Sequence, residues 1–173
     1  SSSSASHTVS STHSGTTYTW TKVQVSAAQQ QNFANWYTYY RTRLQMMKSA
    51  AGLAFAPINS AYRVGFITIN PTYDASGSST SSVQSAKYLK ISDFDSTHRS
   101  NWYTKLYGIQ TDNSTPLREA LSRAGWIFAG KLGSGLTAGI PTADDPIQYS
   151  CQQNFTILTT DGYWNSNGGR DLN

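Results

Sequence analysis

The sequence predicts one α/β domain with an open, Rossmann-like sheet flanked by helices. Apolar residues recur at spacings of three and four from Phe33 to Phe55, the period of a helix with one buried face. β-Branched and aromatic residues fill the stretches 63–69 and 154–160, as they do in strands. The predicted order is helix, strand, strand, helix, helix, strand. Such alternation is typical of an α/β sheet rather than of an all-α or all-β fold.

The first 25 residues are expected to be a flexible lead-in, followed by the domain at 26–173. Residues 1–21 are mostly Ser and Thr and offer little apolar surface to bury. We therefore expect a flexible or weakly ordered segment with little site chemistry.

One long helix is predicted to follow Ser26. Ser26 and Gln29 have the spacing of a capping box, and the helix should end near Ala56, because Pro57 disfavours helical backbone before it. The helix carries an aromatic and apolar stripe that we expect to face the core: Phe33, Trp36, Tyr37, Tyr40, Leu44, Met47, Ala51 and Phe55.

The remaining elements follow from similar patterns. A strand is predicted at 63–69, then a polar loop through residues 71–82, a second strand at 87–91 and a helix at 96–107. Within that helix, His98 is expected to be a solvated or capping residue. A third helix opens at Thr115-Pro116, and its expected apolar face consists of Leu117, Leu121, Ala124, Phe128 and Leu132.

Thr115 and Asp161 are the two candidate ligand residues. Thr115 precedes a proline at the start of the third helix, where a threonine suits the N-cap. Asp161 ends the last predicted strand, and ligands of open α/β sheets lie beyond the carboxyl ends of strands. A hydroxyl and a carboxylate are oxygen ligands of the kind that Mg²⁺ or Mn²⁺ prefers. Taken singly, each residue also suits a structural role, as a helix cap and as a turn aspartate.

The charged residues argue against several functions. They make up 13% of the chain, and Glu119 is the single glutamate, so the paired carboxylates of glycoside hydrolases are in short supply. Neither the Gly-x-Ser-x-Gly nor the His-Glu-x-x-His pattern occurs, and we expect no enzyme. The densest basic spot, Arg41, Arg43 and Lys48, is expected to be a solvated helix face rather than a nucleic-acid patch. No apolar run approaches the roughly 20 residues of a membrane span.

Cys151 is the single cysteine. It has no partner for a disulfide within this chain, and a cysteine-based zinc site is excluded. We expect a small buried residue at the start of the last strand. The alternative is a half-cystine whose partner lies elsewhere in a parent protein.

Four blocks of the sequence are distinctive. They are residues 31–43 (QNFANWYTYYRTR), 62–66 (YRVGF), 115–118 (TPLR) and 151–165 (CQQNFTILTTDGYWN). In these blocks and their order, about residues 24–173 resemble the N-terminal region of the pilus tip proteins of the PilC and PilY family. The first and last blocks are the most specific.

The resemblance implies an incomplete von Willebrand factor A-type domain at the tip of a type IV pilus. In such domains a metal-ion-dependent adhesion site takes its ligands from an Asp-x-Ser-x-Ser loop, a Thr and an Asp. Thr115 matches the second ligand and Asp161 the third. The complete domain is expected to bind Mg²⁺ or Mn²⁺, and this segment alone to bind it weakly or not at all.

The first ligand loop is where the chain departs from the family pattern. That loop should follow a strand before the long helix, but residues 1–25 contain no hydrophobic strand and no aspartate. The run Asp74-Ala75-Ser76-Gly77-Ser78 spells the pattern in a Ser-rich loop, after the second strand of the family order, and we interpret it as a chance match. The first central strand and the C-terminal elements are expected to lie outside residues 1–173.

The resemblance further implies adhesion, surface sensing and pilus biogenesis at the cell surface, after export through the outer membrane. The expected partners are minor pilins, the rest of the parent protein and a host or abiotic surface ligand. The alternative is a structural module that packs against minor pilins or a C-terminal propeller and has no ligand of its own.

Overall fold

The computed structural model describes residues 8–74, 76–111 and 114–160. They fall into two units, one that runs to Thr42 and one that begins at Arg43. Among these residues are four α-helices and two small antiparallel sheets of two strands each. The mixed α/β class is therefore confirmed, whereas the strands form two separate pairs rather than one open sheet.

A β-hairpin opens the first unit. β1 (Thr8–His13) pairs antiparallel with β2 (Thr16–Thr21), and both turn residues have positive φ, 49° at Ser14 and 78° at Gly15, as a type I′ turn requires. A hairpin therefore occupies part of the segment that was expected to be a flexible or weakly ordered lead-in, because β-branched threonines and a suitable turn form a hairpin without a buried face. Every residue of both strands is exposed.

The predicted long helix is two helices. α1 (Gln30–Tyr39) follows a short 3₁₀ turn, and α2 (Arg43–Phe55) begins the second unit. The break lies at Tyr40, where φ is −132° and ψ is −4°. Aromatic and β-branched residues crowd this stretch of the chain and have poor helix propensity, which makes it the weak point of the pattern.

Both outer ends of the helical region are as predicted. The side-chain Oε1 of Gln29 accepts a hydrogen bond from Ser26 Oγ at 2.9 Å, beside the first turn. At the other end, α2 finishes two residues before Pro57. Local chemistry therefore determines where the helices start and stop.

The aromatic stripe of α1 is not buried, which corrects the expectation that it faces a core. Phe33, Trp36, Tyr37 and Tyr40 are 43–49% exposed. No residue of the hairpin or of α1 is buried, so these elements form no core that could receive the rings. Instead, the Phe33 ring contacts the rings of Trp36 and Tyr37, and the guanidinium of Arg41 lies 3.9 Å from the centre of the Tyr37 ring.

The second unit contains two strands and two further helices close to their predicted positions. β3 (Arg63–Ile67) pairs antiparallel with β4 (Tyr88–Asp93), and α3 (Ser96–Gly108) and α4 (Leu117–Phe128) follow. The register shifts near Gly65, where an added Cβ would lie 2.6 Å from Ile91 Cγ1. The strand pair needs glycine there for close packing.

Two hydrophobic clusters stabilise the second unit. In one, Phe94, Trp102 and Leu106 are buried, and α2 packs against them through residues that include Met47 and Phe55. This confirms the predicted core-facing positions Met47, Ala51 and Phe55 of the stripe on α2. The other cluster joins α4 to the segments before and after it, and it comprises Val83, Ile127, Leu132 and Ile140.

His98 belongs to the first of these regions rather than to the surface. It is 9% exposed, its Nε2 lies 2.7 Å from Val64 O, and its backbone N–H donates to the capping carboxylate of Asp95 at 2.8 Å. The expectation of a solvated or capping histidine was wrong, because α3 places this side chain against β3 while Asp95 is the cap.

The predicted strand at 154–160 is not formed. These residues lie outside any strand and are exposed, with Phe155 at 80% and Ile157 at 73%. A buried-type strand needs a neighbouring strand for its backbone hydrogen bonds and a second layer over its side chains. No strand in the described part of the chain pairs with it.

Candidate functional site

The start of α4 is the part of the predicted site that the structure describes. Thr115 is half-buried, and its carbonyl accepts a hydrogen bond from Leu117 N at 2.9 Å. The helix begins at Leu117, with Pro116 in the N-cap position at φ −80° and ψ 69°. The predicted Thr115 cap was therefore wrong by one residue, because Pro116, which was expected as the first helical residue, has a ψ of 69° and lies outside helical backbone.

A cleft of about 550 Å³ opens beside this helix start. The loop after β3 forms one wall, the beginning of α4 a second, and the segment after α4 a third. Both sequence neighbours of Thr115 line it. The lining residues are Asn70, Thr72, Tyr73, Ser79, Thr80, Ser81, Ser114, Pro116, Glu119, Arg123, Gly135, Leu136 and Ala138.

Hydrogen bonds hold the walls of the cleft together. Asn70 Nδ2 donates to Ser114 O at 3.4 Å, a long contact between the first wall and the second. Val83 N donates to Ala138 O at 2.7 Å, which joins the first wall to the third. The hydroxyl of Thr80 donates to Thr72 O at 2.6 Å. Hydrogen bonds from the backbone and from short polar side chains thus fix the positions of the loops that form the cleft.

Arg123 is a buried charge in the lining of the cleft. It is 1% exposed, its Nε donates to Leu136 O at 2.7 Å, and its Nη2 donates to Glu119 Oε1 at 2.6 Å. Burial lowers the pKa of the Arg123 guanidinium, and the Glu119 carboxylate partly opposes that change. The third nitrogen, Nη1, has no hydrogen-bond partner within the described residues.

This arrangement corrects the predicted apolar face of α4. Leu121 was expected in the core but is 56% exposed, whereas Arg123 and Ile127 are the buried residues of the helix. Leu136 O accepts a hydrogen bond from Arg123 Nε, which helps a charged side chain to be buried. Arg123 therefore occupies a helix face where an apolar pattern predicts leucine.

Gly135 allows the third wall to approach α4. Its φ is +52°, and an added Cβ would lie 2.7 Å from Trp126 Cζ3. A side chain at this position would have both a strained backbone and a clash with the indole. The position of the third wall therefore depends on glycine at residue 135.

Asp161, the second predicted ligand, lies outside the described residues. Within them, no group of three or more His, Cys, Asp or Glu side chains could hold a metal ion. The structure therefore places Thr115 beside the cleft, and its pairing with Asp161 stays a prediction.

Two relatives place the chain in a family. It is 40% identical over 149 residues, 85% of its length, to the type IV pilus biogenesis factor PilY1 of Pseudomonas aeruginosa strain PAK. It is 34% identical over 157 residues, 91% of its length, to the protein of the same name from strain UCBPP-PA14. The chain belongs to the PilC/PilY family.

The PilC/PilY chain spans about an eighth of the length of these curated relatives, since the aligned region covers 12% of each. No family model and no solved structure matches it. The described helices are all too short or too polar to cross a membrane.

The Asp-x-Ser-x-Ser spelling of this PilC/PilY chain forms a local turn. Asp74 Oδ1 accepts hydrogen bonds from Ser76 Oγ at 2.6 Å, Ser76 N at 2.9 Å and Ser78 N at 3.0 Å. The Ser76 hydroxyl and the Ser78 amide lower the pKa of the Asp74 carboxyl most, and the charge of Lys87 contributes least. The carboxylate therefore has a structural role in its own loop.

We expect an NMR titration of Asp74 to have its midpoint below the ordinary aspartate value. Because the folded pKa is lowered, the stabilising hydrogen bonds are fully present above the unfolded pKa and are lost as pH falls through the folded value. Ser76→Ala should raise the midpoint, and Ser82→Ala, which leaves the three donors in place, should not. An unchanged midpoint in Ser76→Ala would contradict the role given to this turn.

Two further expectations of the sequence analysis were wrong. Cys151 is exposed rather than buried, because the strand it was to begin is not formed. Lys48 does not share a solvated helix face with Arg41: its Nζ donates to Tyr107 O at 2.7 Å and to Ile109 O at 2.6 Å. It therefore satisfies carbonyls at the end of α3, and partial burial lowers its pKa.

The cleft residues that sequence reasoning missed left only a faint signal. Glu119 and Arg123 have the i, i+4 spacing of a helical ion pair, but such pairs usually lie at the surface. Asn70 follows β3, as a polar residue beyond a strand end does in many sites. Asn70, Glu119 and Arg123 line one cleft because the segment after α4 folds back beside them. No local sequence pattern predicts that course of the chain.

Proposed function

We propose that this chain is the binding domain of a type IV pilus biogenesis protein, of von Willebrand A type, at the pilus tip. Its proposed role is attachment to a host or abiotic surface, with surface sensing and pilus biogenesis, rather than catalysis. The relatives are type IV pilus biogenesis factors by name, which supports the biogenesis part. The polar cleft beside Thr115 supports the binding part, because ligand sites are concave surfaces with a few convergent polar groups on a rigid base.

A divalent ion is part of the proposal. Thr115 and Asp161 would supply oxygen ligands to Mg²⁺ or Mn²⁺ in the complete domain. The neighbours of Thr115 on both sides line the cleft, so an ion bound by its hydroxyl would lie near the ligand. Two protein ligands rarely hold magnesium alone, and further oxygens would come from the bound ligand or from the rest of the protein.

We expect Thr115→Ala and Asp161→Ala, made in the full-length protein, each to weaken Mn²⁺ binding about tenfold or more, as removal of groups at a metal site does. Calorimetric titration measures the affinity, and counting attached cells with and without a chelator measures the function. Thr104→Ala is the matched control, since Thr104 is exposed and its hydroxyl donates to Ser100 O within α3.

The outcomes separate two roles for the domain. Cation-dependent attachment that is lost in both variants, with normal surface pili, supports the binding domain. Loss of surface pili with unchanged Mn²⁺ affinity supports a structural module that packs against minor pilins or a propeller. Equal Mn²⁺ affinity in Asp161→Ala and the unaltered protein removes Asp161 from the site.

A further inference from the structure

We infer that the cleft beside α4 binds a neutral saccharide, through paired hydroxyl contacts to Arg123 and Glu119. The inference rests on the proposed binding function and names the ligand class of that site. It depends on the described residues alone and does not involve the cation ligands.

Arg123 has a side-chain nitrogen without a hydrogen-bond partner among the described residues. Arg123 lines the cleft together with both of its partners, Glu119 and Leu136. The residue is 1% exposed and its Nη1 has no partner within the described residues. A buried charged donor without an acceptor is costly, and a ligand oxygen would remove that cost.

The neighbouring carboxylate of Glu119 determines which ligand charge the cleft favours. Glu119 lines the same cleft, and its side chain is 30% exposed. Arg123 and Glu119 carry opposite charges, and Nη2 lies 2.6 Å from Oε1. The pair is neutral as a whole, so it does not favour a charged ligand. An anionic ligand that reached Nη1 would also approach the Glu119 carboxylate and be repelled.

A hydroxyl group satisfies both members of the pair. It accepts one hydrogen bond and donates another, so neighbouring hydroxyls of one ligand can accept from Nη1 and donate to the carboxylate. Vicinal hydroxyls on a ring are the defining chemistry of a saccharide. A carboxylate ligand has no proton to donate, and an amine has no acceptor for Nη1.

The rest of the lining suits the same class. Asn70 contributes an amide, Ser79 and Ser81 contribute hydroxyls, and Tyr73 contributes an aromatic ring. The volume of about 550 Å³ falls within the range of roughly 300–1,000 Å³ for small-molecule sites. A cleft with few apolar side chains and many groups that both donate and accept favours a polyhydroxyl ligand over a lipid.

The test titrates the full chain with neutral disaccharides (lactose, maltose, cellobiose and mannobiose) and with sialyllactose, using saturation-transfer NMR and calorimetry. We expect at least one neutral sugar to bind and sialyllactose to bind no tighter than lactose. Glu119→Ala should weaken binding about tenfold, because it removes a hydrogen bond to a charged group. Ser81→Tyr, at an exposed lining position, should abolish binding by filling the cleft, and Ser100→Tyr on exposed α3 surface should leave it unchanged.

Three results overturn the inference: no neutral sugar binds, sialyllactose binds tighter than lactose, or binding persists in Ser81→Tyr. Attachment of cells separates this failure from that of the proposed function. If Ser81→Tyr abolishes attachment and no sugar binds, the cleft is a binding site for another class of ligand. If sugar binds and Ser81→Tyr leaves attachment unchanged, the saccharide site stands and the proposed role in attachment fails.

Discussion

Trp102→Ala is expected to lower the free energy of unfolding by about 4 kcal/mol, the usual cost of removing a buried tryptophan. Trp102 is 4% exposed, and its ring stacks on Phe55 at 4.4 Å and meets Phe94 edge-on at 5.9 Å. Its indole Nε1 also donates to Gly65 O at 3.2 Å. The substitution leaves a cavity where α2, α3 and the sheet of β3 and β4 meet, and it removes the hydrogen bond to Gly65 O.

Trp20→Ala is the matched control for this prediction. It removes the same side chain from the hairpin, where Trp20 is 61% exposed, and we expect a change below about 1 kcal/mol. Urea unfolding followed by far-ultraviolet circular dichroism measures both values. Similar losses in the two variants would mean that the cluster around Trp102 is not the core of the second unit.

The second large effect is expected for Arg123→Met, which should cost about 3 kcal/mol. Removing one partner of a buried ion pair usually costs about 3–5 kcal/mol, and the lower end applies because Glu119 is partly exposed and can regain water. The methionine replaces some of the lost volume but leaves Leu136 O without its donor. The third wall of the cleft should loosen as a result, with faster amide exchange at residues 134–138.

Arg118→Met, at an exposed position of the same helix, is the control and should change stability by less than about 0.5 kcal/mol. Arg123→Lys keeps the charge but cannot reach Leu136 O and Glu119 with the same fork of donors, so its loss should be intermediate. An Arg123→Met variant as stable as the unaltered chain would show that the guanidinium does not organise the cleft.

The elements with strong local signals were predictable from the sequence. The stop before Pro57, the strands that became β3 and β4, and helices α3 and α4 all follow from periodicity, turn residues and proline. The failures share a different cause. The break at Tyr40 and the shift of the α4 start from Pro116 to Leu117 depend on one or two backbone angles, to which an apolar pattern is insensitive.

Burial was harder to predict than secondary structure. The stripe on α1 and the run from Phe155 to Leu158 have the composition of core residues, yet they are exposed in the described chain, because burial depends on what lies opposite. Conversely, His98 and Arg123 are polar and buried, because Val64 O and Leu136 O accept their hydrogen bonds from distant parts of the chain. A sequence window contains the donor in each case but not its acceptor.

By itself, the sequence determined the family, the α/β class, most helix and strand positions, and Thr115 as a residue of interest beside a helix start. Only the tertiary structure decided that the loop after β3, the first turns of α4 and the segment through Leu136 enclose a cleft whose lining includes the buried Arg123. The physical reason is the sequence distance over which each interaction acts. Backbone propensities and helix caps act within a few residues. Arg123 instead donates to a carbonyl 13 residues away, which it reaches only after the chain turns back at Gly130 and Gly133, both at positive φ.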